Sequence, residues 1–142
     1  MTTIACDGKT IAGDGQLMNG SFVHSLSFVK VHPLKDGSVM GFAGNAYDLH
    51  GALAFLNGEA EAFEGGASFE AIILSPSGDC RGMDCKGRFI PLPPPCATGC
   101  GEQIAITAMR CGKTAVEAIE MACQYNIGTG GQVTFATPGA AA

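Results

Sequence analysis

The stretch Met1-Thr2-Thr3-Ile4-Ala5-Cys6-Asp7-Gly8-Lys9-Thr10-Ile11-Ala12-Gly13-Asp14-Gly15-Gln16 opens the chain and decides how the rest is read. Asp7-Gly8 is a tight-turn dipeptide, so residues 2–6 and 9–13 read as the arms of a β-hairpin. Gly13-Asp14-Gly15 then turns the chain again. A hydroxyl residue, Thr2, directly follows Met1. If Met1 is removed, Thr2 carries a free α-amine beside its own hydroxyl. Such an amine titrates near ~7.7–8.0 and can act as a base at neutral pH. Nucleophile and base then sit on one residue, the N-terminal-threonine form of an activated nucleophile.

Working outward, residues 27–32 and 38–43 predict a second hairpin around Lys35-Asp36-Gly37. Residues 45–57 predict a helix with Leu49, Ala52, Leu53 and Leu56 on one face, ended by Asn57-Gly58. Glu59 to Ala67 is an acidic, glycine-bearing connector. Residues 68–75 and 87–92 read as strands around a turn-rich segment from Pro76 to Lys86, and Pro91 to Pro95 breaks the pattern. Helices are predicted over 100–111 and 114–125, divided at Gly112, with Thr114 and Glu117 as a capping box. Residues 132–137 read as a last strand, and Pro138 to Ala142 as a loose tail. Strands, helix, strands, two helices, strand is not the alternation of a parallel α/β sheet. It fits the α+β class, in a single domain spanning residues 1–142.

The bulk properties bound the function. A net charge of −5 argues against a nucleic-acid surface. No run approaches the roughly 20 apolar residues of a membrane-spanning helix. The first residues lack the basic flank and long apolar core of a signal peptide, so a cytoplasmic location is expected. Only 15% of residues are charged and 21 are glycine, which suggests small side chains at close contacts and surface buried in an oligomer. Seven cysteines without an export signal imply a reducing compartment and free thiols. Cys80, Cys85, Cys96 and Cys100 have loosely finger-like spacing, but no histidine lies near, and no metal is assigned. Cys6, Cys111 and Cys123 sit in apolar patterns, where a thiol behaves as a small hydrophobe. His24, His32 and His50 show no metal-ligand spacing, and no cofactor is expected.

Further residues carry two readings each. Lys30 lies in Ser27-Phe28-Val29-Lys30-Val31-His32, read as an alternating strand with Phe28, Lys30 and His32 on one face. It is either a solvated strand lysine or a cation placed beside Thr2. Asp14 is either a turn former or the partner of that cation. Gly44, between a strand and a helix, is either a plain helix-start glycine or an N–H donor to a developing oxyanion.

Thr2-Thr3-Ile4 followed by Ile11-Ala12-Gly13-Asp14-Gly15-Gln16 resembles the mature start of proteasome β-type and HslV-like peptidases, which are N-terminal nucleophile hydrolases. Lys30 keeps that family's spacing from Asp14, and Gly41-Phe42-Ala43-Gly44 with Asp48 resembles its strand-to-helix corner. Ala97-Thr98-Gly99-Cys100-Gly101 resembles its second glycine-rich helix start, and Asn126-Ile127-Gly128-Thr129-Gly130-Gly131 a late Asp-x-x-Ser-Gly-Gly segment. The resemblance implies a four-layer αββα sandwich and threonine peptidase activity. It implies Thr2 as nucleophile, Asp14 and Lys30 as a charge pair beside it, Gly44 as oxyanion donor and Phe42 at the specificity pocket.

Cys100 stands where the family has a serine near the amine, Asn126 where it has an aspartate, and Thr129 where it has the following serine. These positions join the catalytic set with altered chemistry, because a thiol is a weaker hydrogen-bond partner and an amide does not ionise. The resemblance further implies peptide or unfolded-protein substrates, self-association into rings, and a ring ATPase as candidate partner. A small-amide hydrolase and a non-catalytic ring-assembly protein on the same fold are the alternatives.

Overall fold

In a computed structural model, residues 2–139 are described. Met1 and Ala140 to Ala142 lie outside the described residues, and with them the removal of Met1 and most of the expected tail. Of that tail, Gly139 donates its N–H to the Gly37 carbonyl at 3.0 Å.

The opening hairpin is present as β1 (Thr3–Cys6) and β2 (Ile11–Gly13), paired antiparallel with Ala5 opposite Ala12. Its turn is held by one carboxylate. Asp7 Oδ1 accepts from the N–H groups of Lys9 and Thr10, each at 2.9 Å. Leu17–Asn19 (β3) and Phe22–Ser25 (β4) form a small separate hairpin. The sequence reading left this segment blank, although Asn19-Gly20 is a hairpin dipeptide and Gly20 takes a φ of 63°.

Val31–Pro33 (β5) and Val39–Ala43 (β6) form the next hairpin. The expected strand over 27–32 begins only at Val31. Upstream, the Phe28 N–H leaves the ladder and bonds the Gly15 carbonyl at 3.0 Å. Lys30 therefore lies just before a strand rather than on its solvated face. The predicted 45–57 helix is a 3₁₀ turn at Ala46–Asp48 continued by α1 (Leu49–Leu56), with Asn57 as C-cap.

Glu70–Leu74 (β7) and Phe89–Pro91 (β9) occupy the two predicted strands. The segment read as turn-rich contains a further strand, β8 (Cys80–Met83), whose Gly82 and Arg81 give no strand signal of their own. Cys96–Gly99 (β10), to which the sequence assigned no element, is a strand because it pairs with β1. The helices are α2 (Glu102–Arg110) and α3 (Ala115–Tyr125), and the Thr114–Glu117 capping box is complete. Thr134–Ala136 is β11.

The strands form a four-stranded sheet, β10-β1-β2-β11, and a five-stranded sheet, β5-β6-β7-β8-β9. Alternation along each strand decides what covers each face. Ile4 and Cys6 of β1 point into a cluster with Val39, Ile72 and Leu74 of the other sheet. Ala5 and Ala12 point the opposite way, against Ala105, Ala115, Ala118 and Ile119 of the two long helices. In the five-stranded sheet, Met40, Phe42, Ala71 and Ile73 face a third cluster with Ala52 of α1, Phe63 and Phe69. The small residues on the helix-facing side of β1 and β2 let α2 and α3 lie close to the sheet. Among the described residues, no helix is long and apolar enough to cross a membrane.

This layering separates the four cysteines whose spacing is loosely finger-like. Cys80 and Cys96 meet Cys6 between the sheets, whereas Cys85 packs with the α1 cluster and Cys100 is exposed. The spacing of Cys80, Cys85, Cys96 and Cys100 is thus not a spatial set.

Asp7 also accepts from the Ala115 N–H at 2.9 Å, tying the hairpin turn to the first turn of α3. Burial raises its carboxyl, but the hydrogen bonds from Ala115, Lys9 and Thr10 outweigh that and hold it below the ordinary value. Asp7→Ala should cost about 1–3 kcal/mol in thermal unfolding at pH 7. A lowered folded pKa gives stability that is present above the unfolded value of ~3.9 and lost as pH falls through the folded one. The wild-type advantage should therefore shrink below about pH 4.

Candidate active site

The turn after β2 brings Asp14 back against the start of β1. Its N–H bonds the Thr3 carbonyl at 3.3 Å, and its Oδ1 accepts from the Thr3 N–H at 3.1 Å. Oδ2 accepts from the N–H groups of Gly130 at 3.2 Å and Gln16 at 3.4 Å. Lys30 enters from the irregular segment before β5. Its Nζ donates to Asp14 Oδ1 at 2.9 Å and to the Gln16 carbonyl at 2.6 Å. Asp14 is 0% exposed and Lys30 2%. Of the two readings of each residue, the geometry selects the buried pair. Burial pushes the Lys30 amine below its usual range, and the charge and hydrogen bond of Asp14 oppose that shift without cancelling it.

Thr2 is held by its carbonyl, which accepts from the Cys100 N–H at 2.8 Å. This approach requires glycine at position 99. Gly99 has a φ of 101°, and a Cβ there would run into the Thr2 carbonyl oxygen. Thr2, Lys30 and Gly44 line one cleft of about 690 Å³, together with Met18, His24 and Tyr47. No acidic residue is among its described lining residues. Gly44 has a φ of 127°, and a Cβ there would press on the backbone of Phe69, so the corner needs glycine.

Behind Thr2 runs a second network, and its direction follows from its end. Asn126 Oδ1 can only accept. It takes the Thr129 hydroxyl at 2.9 Å, the Cys100 thiol at 3.1 Å and the Gly128 N–H at 3.0 Å. The Thr129 hydroxyl, having donated there, accepts the Thr3 hydroxyl at 2.7 Å. Thr3 Oγ1 in turn accepts the Gly101 N–H at 3.0 Å. Asn126 Nδ2 donates to the Cys100 carbonyl at 3.2 Å, a bond that an aspartate could not make.

Thr2, Asp14, Lys30, Cys100, Asn126 and Thr129 are thus brought together around the start of β1, and Gly44 borders the same cleft. Phe42 lies deeper. It is 2% exposed, edge-on to Phe28 and stacked on Phe69, and Phe28 is the aromatic ring of this group that lines the cleft. The sequence reading missed Thr3, Gln16 and the β3–β4 hairpin that supplies Met18 and His24. The Asn19-Gly20 dipeptide could have found the hairpin. Nothing local marks the Gln16 carbonyl as a lysine acceptor.

No protein-family model and no curated protein matches the sequence. Solved structures do. Eukaryotic HslV from Trypanosoma brucei superposes with a TM-score of 0.73 at 19% identity, over 95% of this chain and 97% of that one. The chain has the proteasome β-type, HslV-like fold. Thiobacillus denitrificans BPH gives a TM-score of 0.68 at 20% identity over 95% of each chain. The same protein in complex with epoxomicin gives 0.66 at 18% identity, over 95% and 96%. The HslV-like fold accounts for the mixed sheets and helices as an α+β architecture.

The two charges of the buried pair are not equally replaceable. Asp14→Ala leaves a buried ammonium and removes the acceptor of three backbone N–H groups, so it should destabilise by about 3–5 kcal/mol. Lys30→Met leaves Asp14 with those three donors and should cost less than Asp14→Ala. Chemical denaturation of both variants measures the difference, and a larger loss for Lys30→Met would contradict it.

Proposed function

We propose that the protein is a threonine-type peptidase in which Thr2, freed by removal of Met1, is the nucleophile. The observation that carries the reading is the convergence of Thr2, Lys30 and Gly44 on one cleft, with Asp14 paired to Lys30 behind it. The Thr2 α-amine takes the hydroxyl proton as Oγ attacks a peptide carbonyl carbon. The Gly44 N–H holds the developing oxyanion, and the buried Lys30 ammonium favours the deprotonated hydroxyl. The protonated amine then passes its proton to the leaving nitrogen as the C–N bond breaks. An ester on Thr2 remains, and water hydrolyses it to release the acid and restore the hydroxyl.

In this reading Cys100, Asn126 and Thr129 are positioning residues. Their network fixes the backbone next to Thr2, and the amide of Asn126 replaces an ionisable group without losing the acceptor that gathers the three donors. Phe42 backs the specificity pocket through Phe28. The sheet-to-sheet cluster, with helices against the second face of each sheet, supports a four-layer αββα sandwich in one domain. Ring self-association is supported by an apolar groove of about 520 Å³ on α2 and α3, lined by Ile104, Met121 and Tyr125 among others. A ring encloses an otherwise unselective nucleophile. Peptides or unfolded proteins are then the substrates, and a ring ATPase is the partner that would feed them in.

Intact mass after treatment with epoxomicin, the compound held by Thiobacillus denitrificans BPH, tests the nucleophile. An adduct should form on the species lacking Met1 and fail to form on Thr2→Ala, which should fold normally. Peptide hydrolysis at wild-type rate by Thr2→Ala would sink the mechanism and favour another activity or a purely structural ring.

Activity should also rise with pH through the α-amine titration near ~7.7–8.0, since only the neutral amine accepts a proton. A pH–rate profile of the processed protein measures this. A profile flat from pH 6 to 9, about a unit or more beyond that titration on either side, would remove the amine from the role of base.

A further inference from the structure

Outside the cleft, the densest group of ligating side chains lies between the two sheets. Cys6 ends β1, and Cys96 faces it across the β1–β10 ladder. Cys80 opens β8 in the other sheet. Cys80 Sγ is 3.8 Å from Cys6 Sγ and 3.6 Å from Cys96 Sγ, and all three sulfurs lie within 4.8 Å of one another. Exposure is 0% for Cys6, 8% for Cys80 and 4% for Cys96. The surrounding cluster is apolar, with Ile4, Ile11, Val39 and Leu74 in it. Among the described residues, no histidine, carboxylate or fourth thiol joins the group.

We propose that Cys6, Cys80 and Cys96 form a binding site for one soft monovalent cation of the copper(I) class, held by three sulfurs between the sheets.

Three features select this ligand. A planar three-coordinate ion with metal–sulfur distances of about 2.3 Å sets its sulfurs about 4.0 Å apart, so the two edges that meet at Cys80 need to open by only a few tenths of an ångström. A disulfide needs its sulfurs at about 2.05 Å and would leave one thiol unused. Thiolate sulfur favours soft ions, and structural zinc takes four ligands, whereas this site supplies three, buried among apolar side chains.

Neutrality in an apolar core sets how many protons each ion must displace. One M⁺ that displaces one proton from the triad to solvent gives a neutral complex of one thiolate and two thiols. A divalent ion reaches neutrality only by losing two protons, and any further thiolate leaves net charge in an apolar core. An ion bound here would join β1 and β10 of one sheet to β8 of the other. β1 follows directly on Thr2, so the site braces the strand that presents it.

The test uses the full-length protein, anaerobic and reduced, titrated with copper(I) against a chromogenic copper(I) chelator. Wild type should bind one ion with release of one proton. X-ray absorption should show three sulfur neighbours, and the unfolding temperature should rise. Cys80→Ser and Cys96→Ser should each weaken binding more than about 100-fold, since even partners outside the ligand set are worth 10–100-fold. Cys111→Ser, exposed at the end of α2, should bind as wild type does. If the serine variants fail to fold, the sulfur count on wild-type protein decides. Two sulfur neighbours, undiminished binding in Cys80→Ser, zinc displacing copper(I), or a disulfide within the triad would each overturn the site.

Discussion

The buried ion pair of Asp14 and Lys30 is the constraint on which the cleft depends. A carboxylate at 0% exposure and an ammonium at 2% are costly to remove from water, and their mutual attraction offsets that cost only with good geometry and further hydrogen bonds. The fold supplies both. Asp14 collects N–H groups from β1, from the turn after β2 and from the Gly130 loop, and Lys30 adds the Gln16 carbonyl. Four segments distant in sequence are thereby fixed to one point. Thr2 inherits its position from that point because Thr3 is one of the anchors.

The Asn126 hub solves a related problem at lower charge. A carboxylate facing the Cys100 carbonyl would be repelled, whereas the amide presents an acceptor to three donors and a donor to that carbonyl. The network is then satisfied without ionisation. Its hydrogen-bond direction runs one way, from the Gly101 N–H through Thr3 and Thr129 to Asn126. Such a chain holds backbone geometry well. It does not by itself supply a proton, which is consistent with assigning proton transfer to the Thr2 amine.

Packing in the sheets follows from residue size. β1 carries Ile4 and Cys6 toward the other sheet and Ala5 toward the helices, so its two faces meet neighbours at different distances. Positions where side chains would collide are glycine, as at Gly99 against the Thr2 carbonyl and Gly44 against the Phe69 backbone. A chain this rich in small residues can bring backbone within hydrogen-bonding reach of backbone around the cleft, as the Cys100 N–H does with Thr2.

By itself the sequence determined the elements whose signals are local. Asp7-Gly8 specifies a hairpin, Thr114 with Glu117 specifies the start of α3, and Gly112 divides the two long helices. It also supplied Thr2, Asp14, Lys30 and Gly44 as candidates, through the resemblance of their motifs to the HslV-like pattern. Tertiary structure alone decided what those residues meet. β8 and β10 exist because neighbouring strands satisfy their backbones, and neither has side chains that demand a strand. Lys30 carried two readings, a solvated strand lysine or a cation paired with Asp14, and the departure of the chain before β5 from the ladder decided for the pair. The resemblance implied Phe42 at a specificity pocket, and in the structure it is Phe28, edge-on to Phe42, that lines the cleft. The cysteine spacing groups Cys80 and Cys96 with Cys85 and Cys100 only loosely. Register across β1 and β10 and the stacking of two sheets chose Cys6 instead, because distance along the chain carries no information about which strand faces which.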